Sequence, residues 1–124
     1  MIIRATDLSP IESPGSNATA GIATPSRGAA EVSLIRQRQL PGGQNPLHRH
    51  DREEVVLVES GRISLTVGDT RSELAAGDSA IIPAETLHQI HNAGAEPAEW
   101  LLIAPQGIRY FGADGAEMQP AWAK

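Results

Sequence analysis

The chain has 124 residues, enough for one domain with a single core. Its net charge of -5, from 15 acidic and 10 Lys or Arg residues, argues against binding to nucleic acid or to anionic membrane surfaces. The absence of cysteine excludes disulfides and thiolate metal sites, so any metal must be bound through nitrogen and oxygen.

The first 29 residues predict an irregular N-terminal arm, because residues 5–29 are rich in Ser, Pro, Gly, Ala and Thr. The arm lacks the apolar run of a signal peptide, and no stretch approaches the roughly 18 apolar residues of a membrane span. We therefore expect a cytoplasmic protein. We divide the chain into an arm over residues 1–29 and a domain over residues 30–124.

Alternating and continuous apolar segments predict strands in the domain. Val32 and Leu34 share one face of segment 31–40, although Ile35 breaks this alternation, and the apolar run 55–58 suits a strand buried on both faces. Residues typical of turns recur at intervals of about 8 to 12 residues and separate further candidate strands. No segment sustains the periodicity of a helix. These candidates are 63–67, 70–74, 75–85, 86–94, 99–105, 108–111 and 116–122. The pattern predicts an all-β sandwich or barrel.

Four side chains could form a metal site. His48 and His50 lie two residues apart in a predicted strand, so they share a face with Cα atoms about 6–7 Å apart. Glu54 has the same parity unless a turn intervenes, and His88 lies on a later strand that a barrel could place beside the first. An isolated pair of histidines at this spacing more often marks a polar strand edge. The complete set suits Fe, Mn, Ni, Co, Cu or Zn rather than Ca or Mg, and leaves the choice among them open.

Two further polar residues close to His88 are expected to lie outside this set. His91 has the opposite parity, which predicts a surface or interface position. Asn92 ends the strand, which predicts a role in the following turn.

The histidine-containing segments resemble the two sequence motifs of the cupin superfamily. The first motif is matched by Gly42, His48, His50, Glu54 and Gly61, and the second by Gly77, Pro83, His88 and Asn92. The one departure is Glu85, where the family usually has glycine. Because glycine there often has a positive φ, a side chain puts the local turn in doubt.

This resemblance implies a small single-domain cupin with a double-stranded β-helix, a jelly-roll-like barrel of six to eight strands. It also implies a divalent transition metal bound by His48, His50, Glu54 and His88. Because an N-terminal arm pairs with a second subunit in many cupins, the resemblance further implies a homodimer.

Four protein ligands on an ion that accepts about six leave positions for water, dioxygen or substrate. This openness favours an enzyme that acts on a small oxygenated or anionic molecule, with a dioxygenase as the first choice and an isomerase or lyase as the others. One alternative is a non-catalytic module that binds or senses a metal or a small molecule, and another is a metal-free barrel that serves as an interaction scaffold. Because histidine binds a metal only when neutral, metal affinity is expected to fall below about pH 6.

The inward faces of neighbouring strands should supply the pocket walls. The candidates are Arg36, Gln37, Val56, Ile90 and Leu102. Adjacent side chains in a strand point to opposite faces, and the alternation does not decide whether Arg36 or Gln37 points inward. Three aromatic residues near the end of the chain, Tyr110, Phe111 and Trp122, could cover one mouth of the barrel.

Overall fold

The structure, a computed structural model that describes residues 1–124, contains twelve strands in two antiparallel sheets. The strands are β1 (Ile11–Ser13), β2 (Asn17–Ala23), β3 (Val32–Gln39), β4 (His48–His50), β5 (Glu54–Ser60), β6 (Arg62–Val67), β7 (Thr70–Ala75), β8 (Ser79–Ile82), β9 (His88–His91), β10 (Ala98–Pro105), β11 (Tyr110–Gly112) and β12 (Glu117–Met118). Short 3-10 turns lie at Ala5–Asp7, Pro25–Arg27 and Ala121–Ala123. None of these helical segments is long and apolar enough to cross a membrane. The all-β prediction is confirmed.

The two sheets have six strands each. The first has the order β1-β2-β3-β10-β5-β8, and the second has the order β12-β11-β4-β9-β6-β7. Strands that are distant in sequence are therefore neighbours, as where β10 lies between β3 and β5, and where β9 lies between β4 and β6. This exchange of the chain between two sheets gives the jelly-roll arrangement.

The apolar core lies between the sheets and surrounds Trp100, whose side chain is fully buried. Val56 and Val58 of β5 face this core, and Ile90 faces it from β9. Each such side chain contributes about 1.5–3 kcal/mol through burial. Glu54 lies two residues before Val56 on β5, and His88 lies two residues before Ile90 on β9. Because side chains two apart share a face of a strand, Glu54 and His88 also point inward, at the edge of the apolar core.

The N-terminal segment differs from the irregular arm that was expected. Strand β2 pairs with β3 from Asn17, opposite Gln39, and β1 pairs in turn with β2. Buried polar side chains join β2 to β3. Gln39 of β3 donates from Nε2 to Oδ1 of Asn17 on β2 at 2.8 Å, and Gln37 of β3 donates from Nε2 to Oγ1 of Thr19 on β2 at 2.9 Å. Hydrophobic periodicity could not reveal a strand held by buried amides and a hydroxyl.

The inward face of β3 is the face that carries Ile35, and not the one that carries Val32 and Leu34. Ser33, Ile35, Gln37 and Gln39 are buried, whereas Val32 is 55% exposed. The residue that broke the expected alternation, Ile35, is therefore the apolar member of the inward face. The polar residues are tolerated there because β2 supplies their hydrogen-bond partners.

Glu85 occupies the left-handed conformation that glycine would favour, with φ of 63°. Its backbone N–H donates to the His50 carbonyl at 2.7 Å, and its carboxylate pairs with the Arg49 guanidinium. The departure from the family motif therefore leaves a non-glycine residue in the left-handed region, and its side chain forms an ion pair outside the histidine cluster.

Replacing Glu85 with glycine should raise the free energy of unfolding by about 0.5–1 kcal/mol. A side chain strains a left-handed residue by roughly 1–2 kcal/mol, whereas an exposed ion pair contributes less than about 1 kcal/mol. Replacing Glu85 with alanine should lower the free energy of unfolding, because it removes the ion pair and keeps the strain. Urea unfolding of both variants tests this, and a glycine variant no more stable than the alanine variant would contradict it.

Candidate metal centre

Three histidines from two neighbouring strands form a cluster. His48 and His50 project from β4, and His88 projects from β9, directly opposite His48 in the antiparallel register. The ring centroids are 4.2 Å apart for His48 and His88, 4.9 Å for His48 and His50, and 5.0 Å for His50 and His88. The predicted proximity of the two histidine-containing segments is therefore present in the structure.

Glu54 reaches this cluster from the other sheet. Its Oε2 lies 3.5 Å from His50 Nε2, and its Oε1 lies 4.0 Å from His88 Nε2. His50, Glu54 and His88 are buried, with 2%, 3% and 1% exposure, and His48 is partly buried. The four side chains that the sequence singled out thus meet at one place between the sheets.

Hydrogen bonds to backbone carbonyls hold two of the three histidine rings through Nδ1. The Nδ1 atoms of His48 and His88 lie 2.6 and 2.9 Å from the carbonyl oxygens of Pro46 and Thr86, which they meet as N–H donors. This leaves their Nε2 atoms as acceptors. His88 Nε2 and both ring nitrogens of His50 are buried without a partner. Buried polar atoms are normally paired, so these orphaned nitrogens indicate a missing partner.

A transition metal ion fits this donor set. One ligand nitrogen from each histidine lies within 4.8 Å of the others. Bonds of about 2.0–2.2 Å to one ion place its ligand atoms roughly 3 to 4.4 Å apart, so small side-chain shifts would bring all of them into coordination. The three histidines could hold a metal ion, and the neighbouring carboxylate supplies a fourth donor of a suitable kind.

Burial favours the neutral form of His48 and His88, which is the form that metal binding requires. Burial, with His88 nearby, lowers the pKa of His48 to about 4. Burial also lowers the pKa of His88. In the neighbouring Tyr110, burial and the Glu54 carboxylate raise the pKa of the phenol. Burial thus favours neutral imidazoles at His48 and His88 and an un-ionised phenol at Tyr110.

A cavity of about 280 Å³ adjoins the cluster. Its walls include all four candidate ligands, and three of the five predicted pocket residues, Gln37, Ile90 and Leu102, line it as well. Of the three aromatic residues expected at a barrel mouth, Tyr110 and Trp122 line the cavity. Phe111 lies instead beside the guanidinium groups of Arg49 and Arg109, outside the cavity.

Two predicted pocket residues lie elsewhere. Arg36 is on the outer face of its sheet, where its Nε donates to Glu59 Oε1 at 3.0 Å, because alternation gives the inward position to Gln37. Val56 does face inward, but it is fully buried in the apolar core and does not reach the cavity.

The two other polar residues near His88 also lie outside the cluster. His91 is partly buried on β9 and is not among the clustered histidines. The Asn92 amide donates to the carbonyls of Gln39 and Glu96 and accepts from the Gly94 N–H. These bonds give Asn92 the turn-stabilising position that was expected.

Sequence reasoning missed the part of the cavity wall formed by the two terminal segments. Ser13 and Asn17 come from the first two strands, and Met118, Gln119, Pro120 and Trp122 come from the last segment. Gly21 allows that segment to lie against β2, because a Cβ there would be 2.3 Å from the Trp122 carbonyl oxygen. Only the cluster of late aromatic residues signalled this wall in the sequence.

Comparison with known proteins places these features in a family. A family model described as "Cupin domain" matches residues 35–104. The chain is 32% identical over 85 residues to auxin-binding protein 1 from Arabidopsis thaliana, covering 61% of this chain and 43% of that protein. It is 31% identical over 116 residues to germin-like protein 3-8 from Oryza sativa subsp. japonica, covering 81% of this chain and 52% of that protein. The chain thus spans about half the length of these relatives.

A solved structure shows the same fold. The polyketide cyclase RemF from Streptomyces resistomycificus superimposes with a TM-score of 0.75 at 22% sequence identity, covering 85% of this chain and 78% of that protein. The family model covers both histidine-containing segments, and the two-sheet barrel agrees with it. The chain therefore belongs to the cupin family, as its motifs predicted.

Proposed function

We propose that the protein is a metal-dependent enzyme that acts on a small oxygenated or anionic molecule. The centre is formed by His48, His50, Glu54 and His88. The observation that carries this proposal is the convergence of these donors, with orphaned imidazole nitrogens, at the wall of a cavity. A purely structural site would be closed by protein ligands, whereas this one adjoins space for another molecule.

A divalent transition metal bound here would supply Lewis acidity or the activation of dioxygen. The protein's side chains set the net charge of the metal centre. Three neutral imidazoles and the Glu54 carboxylate would offset only one of two positive charges, so the centre would attract an anionic oxygen of a ligand. The Pro46 and Thr86 carbonyls fix the tautomers of His48 and His88, which leaves both Nε2 lone pairs free to bind the ion.

The cavity defines the size and character of the ligand. Its volume of about 280 Å³ corresponds to roughly nine water molecules, so it admits a small molecule rather than a polymer. Pro46, Ile90, Leu102, Met118 and Trp122 provide apolar walls. We infer a ligand with one or two oxygen donors at the metal end and a mainly apolar body.

Within the enzyme proposal, a dioxygenase is the first choice, and an isomerase or lyase would use the same donors. The second candidate function is a non-catalytic binding module. It is favoured by the likeness to auxin-binding protein 1, a relative named for binding rather than for turnover.

A homodimer and a cytoplasmic location stay predictions, which light scattering and cell fractionation would test.

The proposal is tested by elemental analysis of protein purified from its native host. We expect about one transition metal ion per chain, and retention of none would contradict the proposal. A thermal-shift screen of small carboxylates, enediols and flavonols should then find ligands, and assays for product and for dioxygen consumption should follow on each. Ligands that bind without being converted would favour the binding module.

A further inference from the structure

His50 differs from the other two histidines in how its ring is held. His48 and His88 each use Nδ1 to hydrogen-bond a backbone carbonyl. His50 has no hydrogen-bond partner at Nδ1 or at Nε2, although it is only 2% exposed. A metal-binding histidine normally donates its second ring N–H to a carbonyl, carboxylate or water, and this bond sets its tautomer and orientation. His50 therefore needs another means of orientation.

Tyr110 contacts the His50 ring. The two ring centroids are 4.5 Å apart and the ring planes are nearly perpendicular, at 86°. This edge-to-face geometry is a favourable one for aromatic rings, and it allows a ring N–H to point at a π face. The tyrosine itself has little freedom. It is 9% exposed, and its backbone is paired with His50 on one side and with Met118 on the other.

We propose that the aromatic ring of Tyr110 is the positioning group for His50. The ring takes the role that the Pro46 and Thr86 carbonyls have for His48 and His88, and it holds His50 in one orientation and one tautomer. The importance of this contact for metal binding rests on the proposed metal centre. The contact itself involves only the protein and is testable in its metal-free form.

The test separates the ring of Tyr110 from its hydroxyl. Tyr110→Phe keeps the ring and removes the hydroxyl, whereas Tyr110→Leu removes the ring. Phe111→Leu serves as the matched control, because Phe111 is the adjacent aromatic residue but lies outside the cavity. Nitrogen-15 NMR of histidine-labelled, metal-free protein reports the tautomer of His50, and competition between the protein and a chelator for Zn²⁺ reports metal affinity.

We expect one dominant His50 tautomer in the unmodified protein, in Tyr110→Phe and in Phe111→Leu, and a mixture of tautomers in Tyr110→Leu. Zinc affinity should fall about tenfold in Tyr110→Leu and change less than about twofold in Tyr110→Phe, since loss of a group that orients a ligand typically costs 10–100-fold. If Tyr110→Leu does not fold, Tyr110→Met provides the same loss of the ring with a flexible side chain that fills the space.

A single His50 tautomer in the leucine or methionine variant would overturn the inference. An equal loss in the phenylalanine and leucine variants would also overturn it, because the hydroxyl would then be the orienting group. Failure of the unmodified protein to bind zinc, manganese, iron, cobalt, nickel or copper would overturn the proposed metal centre instead. The tautomers in the metal-free protein would still decide whether Tyr110 positions His50.

Discussion

Replacing His88 with alanine should lower the affinity for a transition metal by more than about 100-fold. The substitution removes one of four donors, and loss of a group that merely orients a ligand already costs about 10–100-fold. The Nε2 atom that is lost faces Glu54 Oε1 at 4.0 Å within the cluster. Metal content after dialysis, and chelator competition with Zn²⁺ or Mn²⁺, measure the effect.

The matched control for this prediction is His91→Ala. His91 lies on the same strand as His88 and is partly buried, but it is not part of the cluster. The control variant should retain metal as the unmodified protein does. If the two alanine variants retain equal amounts of metal, the assignment of His88 as a ligand is wrong.

The metal-free protein should lose stability as the pH falls from about 6.5 to 4. Burial and the neighbouring His88 lower the pKa of His48 to about 4 in the folded protein, whereas the unfolded chain takes up this proton near pH 6.5. Below about pH 6.5 the unfolded state therefore binds more protons, and the free energy of unfolding falls until the folded state is protonated too. We expect a loss of about 2–3 kcal/mol from this group, measurable by urea unfolding at a series of pH values.

The variant His48→Gln should flatten this pH dependence, because it removes the titrating group, whereas His91→Gln should leave the dependence unchanged. Equal slopes in His48→Gln and in the unmodified protein would contradict the assignment.

The lowered pKa also revises the pH at which metal should be released. Because burial lowers the pKa of His48 and of His88, we expect competition from protons to begin at a lower pH than the sequence alone suggested.

The candidate ligands could be predicted from the sequence because the alternation along a strand and the residue spacing of the cupin motifs both selected His48 and His50. The alternation of side chains along a strand predicts that His48 and His50 share a face. This prediction is met because both residues lie on β4. Parity does not explain Glu54, because the chain bends at residues 51–53 and β5 continues in the other sheet. The family motif includes Glu54 at its fixed spacing, and the structure places its carboxylate 3.5 Å from His50 Nε2 despite that bend.

The walls of the cavity were harder to predict, because their strands do not follow a hydrophobic pattern. Gln37 is buried with Thr19 as its partner, and the apolar pattern of segment 31–40 did not decide whether Arg36 or Gln37 would point inward. The sequence of β2 gives no sign of this pairing, which is made across two strands. Similarly, Trp122 lines the cavity from a 3-10 turn, and the contact depends on the absence of a side chain at Gly21.

The distribution of the donors over the two sheets has a mechanical consequence. His48, His50 and His88 belong to one sheet and Glu54 belongs to the other, so an ion bound by all of them would act as a cross-link between the two layers. Within their own sheet, β4 and β9 are joined in register only at His48 and His88. Separation of the layers at this end would then require the release of the ion. Metal occupancy should therefore govern amide hydrogen exchange in β4, β5 and β9 more strongly than in β6 and β7.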